Sequence, residues 1–385
     1  MAALSPSAFA EESQSNEIKS TVDLSFRYRI ETVDQDGFTE DAQASTVRTR
    51  ATVKTHWTDS LDTVFEFDDL TEIGLDDFNS GAGTSPNRGQ YPVVADPEGT
   101  ELNQGFIRYT SGDSKFAVGR QRILIGNQRY VGGVGWRQNE QTYDSFTYRS
   151  KFSEDLSFDY SYVFNVNRIF GETVAAGDNT HNTHLINVDY KVAGGKLSGY
   201  YFAIDNETVL GFSNNTLGVR YAGKFEDFSY IVEYASQTDA GDNPNDYSAS
   251  YYLLDGNYQV GNASFGIGIE TLGGDSAGGQ GFTTSLATLH GFQGWADVFL
   301  ATPTAGIEDV TLKGSYKMNG YTLKGVYHDF STDEGGVSLG TEFDFVVTKK
   351  LTNHLSGLFK LASFSSDNAS YASRDKIWLM LTYKL

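Results

Sequence analysis

Two pairs of arginines, each spaced one residue apart, are the residues whose type and spacing point most directly to chemistry. Arg27 and Arg29 lie in TVDLSFRYRIETV (21–33), and Arg48 and Arg50 lie in STVRTRATVKTHW (45–57), with Lys54 in the same rhythm. A guanidinium stays charged at any ordinary pH and grips carboxylates through two parallel bonds, so several on one surface would attract or pass anions. Arg120, Arg122, Arg129 and Arg137 add to the set further along. Other chemistry is thin. With no cysteine, disulfides, thiolate metal sites and cysteine nucleophiles are excluded. His181 and His184 form the one close histidine pair, in HNTH, expected within a long loop and without an evident third ligand. His290, His328 and assorted Ser and Asp could be arranged as a triad, yet no G-x-S-x-G nucleophile motif occurs. No catalytic residue, metal or cofactor is therefore expected.

The elements that must position these arginines read as strands. In 21–33, Val22, Leu24, Phe26, Tyr28 and Ile30 alternate with Asp23, Ser25, Arg27, Arg29 and Glu31, so one face is apolar and the other charged. In 45–57, Val47, Thr49, Ala51, Val53 and Trp57 oppose Arg48, Arg50, Thr52, Lys54 and His56. One such strand fits a soluble sandwich or a membrane barrel equally. The connections decide between them. Short turns at TDSL, SGDS (111–114), KFSED, AGG, KFED, VGN, MNG and KLTN alternate with long links at 75–100, 127–140, 171–183, 206–214, 239–246, 273–303, 331–338 and 365–374. All tight turns then lie at one end of the strands and all long loops at the other, as in outer-membrane barrels with periplasmic turns and extracellular loops. A Greek-key sandwich would scatter its long connections. About 18 runs of roughly ten residues follow, the length a tilted spanning strand needs.

The apolar ridge would then face lipid, where an arginine costs roughly 2–4 kcal/mol at mid-membrane, so Arg27 and Arg29 must face a watery lumen. The last run, DKIWLMLTYKL, puts Ile377, Leu379, Leu381, Tyr383 and Leu385 on one face and should pair with the first strand to close the sheet. It resembles the terminal signature read by the outer-membrane assembly machinery, with Leu385 in place of the usual Phe.

Composition agrees. The chain has 41 Gly, 23 Tyr and 26 Phe against 6 Pro, which suits strands and turns, and no apolar run is long enough for a spanning helix. A net charge of -21 argues against nucleic acid as a partner. Acids outside the strands concentrate in the long loops, where they are solvated or bridge to lipopolysaccharide through divalent cations. Near the N-terminus, Ala8-Phe9-Ala10 followed by Glu11 and Glu12 reads as the tail of an export signal, giving a remnant at 1–10 and a single barrel domain at 11–385.

Three stretches resemble the alginate-export family of outer-membrane barrels: GTELNQGFIRYTSGDSKFAVGRQRILIGNQRYVGGVGWRQNEQTYDSF (99–146), FTTSLATLHGFQGWADVFLATPTAGIEDV (282–310) and YHDFSTDEGGVSLGTEFDF (327–345). The resemblance implies an integral barrel of 18 strands in the Gram-negative outer membrane, with an Arg-rich lumen partly closed by loops that passes an acidic polysaccharide. Arg120, Arg122, Arg129 and Arg137 fall in the first of these stretches. The many acids at lumen parity, among them Glu66, Asp68, Glu342 and Asp344, are partners for the arginines and shift the expectation toward a porin for smaller anionic or sugar-like solutes.

The expectation is thus an all-β, antiparallel up-and-down barrel acting as a passive, anion-leaning channel, lined by Arg27, Arg29, Arg48, Arg50, Lys54, Arg120, Arg122, Arg129 and Arg137. Its partners would be outer-membrane lipid, lipopolysaccharide, the assembly machinery and the anionic or carbohydrate solute. A lipid- or lipopolysaccharide-modifying barrel enzyme and a plugged structural or adhesion barrel are the alternatives. Phe26→Arg should impair membrane insertion while Ser25→Arg, on the lumen face, leaves it intact. Equal tolerance in a heat-modifiability folding assay would rule out this register.

Overall fold

The fold is given by a computed structural model in which residues 18–385 are described; the expected export-signal remnant at 1–10 lies outside the described residues. The strands are β1 (Lys19–Gln35), β2 (Ala42–His56), β3 (Leu61–Asp77), β4 (Gly99–Ser111), β5 (Ser114–Gln121), β6 (Thr142–Lys151), β7 (Leu156–Asn167), β8 (Asp178–Val192) and β9 (Gly195–Ile204). They continue with β10 (Asn214–Phe225), β11 (Phe228–Asp239), β12 (Ser248–Val260), β13 (Ala263–Leu272), β14 (Ile307–Met318), β15 (Tyr321–Ser331), β16 (Ser338–Lys350), β17 (Leu355–Ser366) and β18 (Arg374–Lys384). Each pairs antiparallel with its neighbour in sequence, and β18 returns to β1 from Ser25↔Lys384 to Gln35↔Arg374. The 18-stranded sheet is therefore closed and has no unpaired edge. Turns alternate strictly with loops, and several turns are two residues long; Asn319 and Gly320, both at positive φ, make the mirror-image turn that matches strand twist.

Side chains sort as the alternation requires. On β1, Arg27, Arg29, Glu31 and Val33 are buried inside while Val22 is 63% exposed on the outer wall. On β18, Lys376 and Trp378 point inward and Ile377, Leu379 and Leu381 outward. The outer surface is a band of exposed Phe, Tyr, Leu, Ile and Val, as a lipid-facing wall should be.

His181 and His184 correct one expectation. They lie in strand β8, not in a long loop, because the polar residues DNTHNTH keep alternating faces where the sheet extends beyond the apolar band. A spacing of three puts them on opposite faces. His181 is buried inside, with Nδ1 3.0 Å from Thr183 Oγ1, whereas His184 sits outside with Nδ1 2.9 Å from the Tyr160 hydroxyl. They cannot share a metal ion.

An 18-stranded ring encloses more space than wall side chains can fill. Loops fill it. Residues 273–306, between β13 and β14, turn inward and bury Phe282, Leu286, Ala287, Ala296 and Phe299, most of them in one cluster with wall residues Tyr200, Tyr251, Phe330 and Trp378. Residues 122–141, between β5 and β6, add Ile123, Tyr130 and Val131 to that cluster, and the two loops meet in a parallel bridge between Val131 and Leu286. Residues 78–98 supply Phe78 and Val94 to a second cluster with Val33, Ala42 and Ala44.

Candidate permeation site

The register of β1 and β2 sets Arg27 directly across from Arg48, and like charges opposite one another are destabilising unless something offsets them. The offset comes from the 122–141 loop. Arg27 donates through Nε to Gln138 Oε1 at 2.7 Å, through Nη1 to the Gly135 carbonyl at 2.9 Å and through Nη2 to the Arg137 carbonyl. Arg29 pairs with Asp96 of the 78–98 loop at 3.0 Å, donates to the Trp136 carbonyl and lies 4.6 Å from the Trp136 ring centroid. Gln138 ties the arrangement down, its side chain donating to Thr46 Oγ1 at 2.9 Å and its backbone N–H to Asp96 Oδ1 at 2.8 Å. Both arginines thus meet backbone carbonyls, completed by the Gln138 amide oxygen for Arg27 and by the Asp96 carboxylate for Arg29.

One step around the wall the charges form a cluster. Arg50 binds Asp68 through two nitrogens and reaches Glu140 at 2.8 Å; Arg122 bonds both Glu140 and Glu66; Arg48 lies 3.8 Å from Glu140. Glu66 also accepts from Asn103 at 2.7 Å and Gln104 at 3.2 Å. Burial alone would raise the Glu140 carboxyl, but Arg50 and Arg122 outweigh it and hold it down at about 2. A cavity of about 450 Å³ lies on the loop side of these groups, with Arg48, Asp68 and Gln138 in its wall. Another of about 510 Å³ lies on the turn side, with Gln104, Arg122, Arg108, Lys115 and Arg149 in its wall. Three arginines facing three carboxylates therefore lie between two cavities with charged and polar side chains in their walls, an arrangement that can discriminate by charge.

A different network holds the larger loop. Asp297 accepts from Arg137 and Lys376, each at 2.8 Å, and lies 2.7 Å from His290 Nδ1; Arg137 and Lys376 also reach Glu31, at 3.0 and 3.3 Å. His290 Nε2 meets Lys360 Nζ at 2.6 Å, so this His–Asp pair ends on a lysine and not on a serine. Lys360 sits 3.8 Å from the centroid of Trp295, 4.2 Å from that of Trp136 and 5.2 Å from that of Trp378, joining both loops to the wall. Arg129 pairs with Glu270 at 2.8 Å and donates to Gln293 at 2.9 Å.

The nine expected basic residues therefore divide. Arg48, Arg50 and Arg122 converge on Glu140 between the two cavities. Arg27 and Arg29 of β1 are buried under the inward loops and hold them, and Arg129 and Arg137, buried within the 122–141 loop itself, tie it to wall acids Glu270 and Glu31 and to Gln293 and Asp297 of the larger loop. Lys54 is half exposed near the turn end, 3.3 Å from Asp23. Arg120 follows Phe116 and Val118 to the outward parity of β5, near the loop end, where it bonds Asp144 and Glu172, apart from the inner row of Ala117 and Gln121. Glu66 and Asp68 do pair with arginines, whereas Glu342 and Asp344 accept backbone N–H groups of Ala296 and Trp295, at 2.7 and 3.2 Å. Asp96, Gln138, Glu140, Asp297, Lys360 and Lys376 were not singled out in the sequence. The polar run RQNEQ at 137–141, buried in a loop, was the available signal.

A family model described as alginate export matches residues 19–376. Among solved structures the chain is similar to OccAB4 of Acinetobacter baumannii, with 14% identity, a TM-score of 0.71, and 97% of this chain and 99% of that one covered. It is also similar to OccK9 (OpdG) of Pseudomonas aeruginosa, with 12% identity, a TM-score of 0.74 and 95% and 98% coverage. The outer membrane protein OpdK of the same organism gives 13%, 0.70, 95% and 98%. No relative with a curated function matches the chain. At these identities the structural likeness is one of fold, that of the outer-membrane porin barrel.

Asp297→Ala should leave Arg137, Lys376 and His290 without a shared buried acceptor, at a cost of about 3–5 kcal/mol to loop docking. The barrel should still fold. Single-channel conductance and protease cleavage within 273–306 should both rise; if neither changes, Asp297 does not hold the loop.

Proposed function

The chain belongs to the alginate-export family, and from that premise we propose that it is a passive channel of the Gram-negative outer membrane for anionic or sugar-like solutes, acidic oligosaccharides among them. The observation that carries this reading is the gate: Arg48, Arg50 and Arg122 face Glu66, Asp68 and Glu140 between two polar cavities. A carboxylate entering from either side exchanges one paired partner for another and is never left alone in a low-dielectric interior. The acids keep that hold weak, as conduction requires. The turn-side cavity has a basic surplus, with Arg108, Lys115, Arg149 and Lys151 in its wall beside Asp113 and Asp159, which supports anion-leaning flux, whereas in the loop-side cavity the acids Asp68, Glu98 and Glu101 outnumber Arg48. The family and fold are of the channel type, in keeping with a protein that is not an enzyme.

The inward loops also favour a second reading, a barrel plugged at rest, and conductance in planar bilayers separates the two. Reversal potentials with uronate salts test the first. Arg48 and Arg50 changed together to Gln should lower the anion-to-cation permeability ratio several-fold, most at low salt, where the Debye length is longest. A ratio unaltered at low and high salt, in correctly folded protein, would refute anion selection by the gate.

Acid tolerance gives a further check. Because the Glu140 carboxyl sits below its ordinary range, its pairing is present above that range and is lost only as pH falls through about 2. The difference in permeability ratio between wild type and Glu140→Gln should therefore hold constant from pH 7 to pH 4. A difference that vanishes near pH 4.5 would mean that Glu140 titrates as an ordinary solvated acid.

A further inference from the structure

Across the lumen from the gate, beneath the 273–306 loop, is a separate cavity of about 230 Å³ between that loop and strands β11 to β15. It shares no lining residue with the gate or with the cavities on either side of it. The loop contributes Phe292 and Trp295, both half-buried, and the wall contributes Asp255, Lys313 and Lys324. Lys313 is spoken for, since its Nζ bonds Asp255 Oδ2. Lys324 is not: it is exposed to the lumen, its Nζ lies 5.5 Å from the centroid of Trp295, and it makes no ion pair among the described residues. The acids deeper in the cavity are engaged elsewhere, Glu270 with Arg129 and Asp309 with His328.

We propose that this cavity is a binding site for a single uronic acid ring, a second station for solute on the turn side of the loops. The inference rests on the reading of the protein as a channel for acidic sugars. Its volume is below the roughly 300–1,000 Å³ of pockets that take drug-sized ligands, so it fits one ring and not a chain. An indole and a phenyl edge offer the apolar surface on which the C–H face of a pyranose rests, and aromatic side chains with a wet rim suit such amphipathic partners. The Asp255–Lys313 pair presents an acceptor and a donor to ring hydroxyls, already held in place by their mutual bond. Lys324 then supplies the cation for the ring carboxylate, beside the indole and facing water. Neither a neutral hexose nor a bare carboxylate uses both halves of this site. The ring must bring its charge and its apolar face together.

The test is a tryptophan-fluorescence titration of the purified full chain in detergent micelles with sodium glucuronate, glucose and sodium acetate. Glucuronate should quench saturably, with glucose and acetate each at least tenfold weaker. Lys324→Gln, which breaks no ion pair, should weaken glucuronate at least tenfold while heat-modifiability shows a folded barrel; Trp295→Phe should remove most of the signal. Equal affinity in wild type and Lys324→Gln, acetate binding as tightly as glucuronate, or no glucuronate binding would each overturn the site. Conductance keeps the two ideas apart. Uronate flux without binding at Lys324 defeats the site and leaves the channel reading standing, whereas binding without flux defeats the channel reading alone.

Discussion

The pairing of β1 with β18 is the contact on which the rest of the molecule depends. Once Ser25 to Gln35 are hydrogen-bonded to Arg374 to Lys384, no strand has a free edge. Backbone amides can then sit in hydrocarbon without an unmet partner. Closure also assigns every residue a side. A one-residue slip would carry Arg27, Arg29 and Glu31 into the apolar band and bring Phe26 and Ile30 inside, so the cost of charge in lipid enforces the register along the whole ring.

What closure creates it cannot fill. The lumen of eighteen strands is too wide for wall side chains alone, and the wall carries opposed arginines that need acceptors. The loops answer both demands at once. Residues 122–141 and 273–306 bring aromatic and aliphatic side chains that pack against the inner wall, and the same segments bring carbonyls, Gln138, Glu140 and Asp297 to the cations. Apolar packing and charge pairing thus favour the same loop positions.

The structural ties and the proposed selectivity share residues in consequence. Arg50 holds wall acid Asp68 and loop acid Glu140 together, and Arg122 does the same for Glu66 and Glu140. The charged groups between the two cavities are the groups that tie wall to loop, so their positions are preorganised. The arginines deeper under the loops, Arg27 and Arg29, act in holding the lining instead.

The sequence by itself determined the barrel: period-two alternation, the rhythm of turns and loops and the apolar final run are all readable locally, because each depends only on a residue and its near neighbours. It also placed Arg27, Arg29, Arg48 and Arg50 on the inner face for the same reason. It misplaced the HNTH pair, since polar residues alternate along a strand beyond the membrane much as they do in a loop. What only the tertiary structure decided is which arginines lie between the two cavities and which are sealed by loops. Arg27 meets Gln138 across 111 positions of chain and Arg129 meets Gln293 across 164. No periodicity reports such contacts, because they exist only after the ring has closed and the loops have packed into the space it leaves.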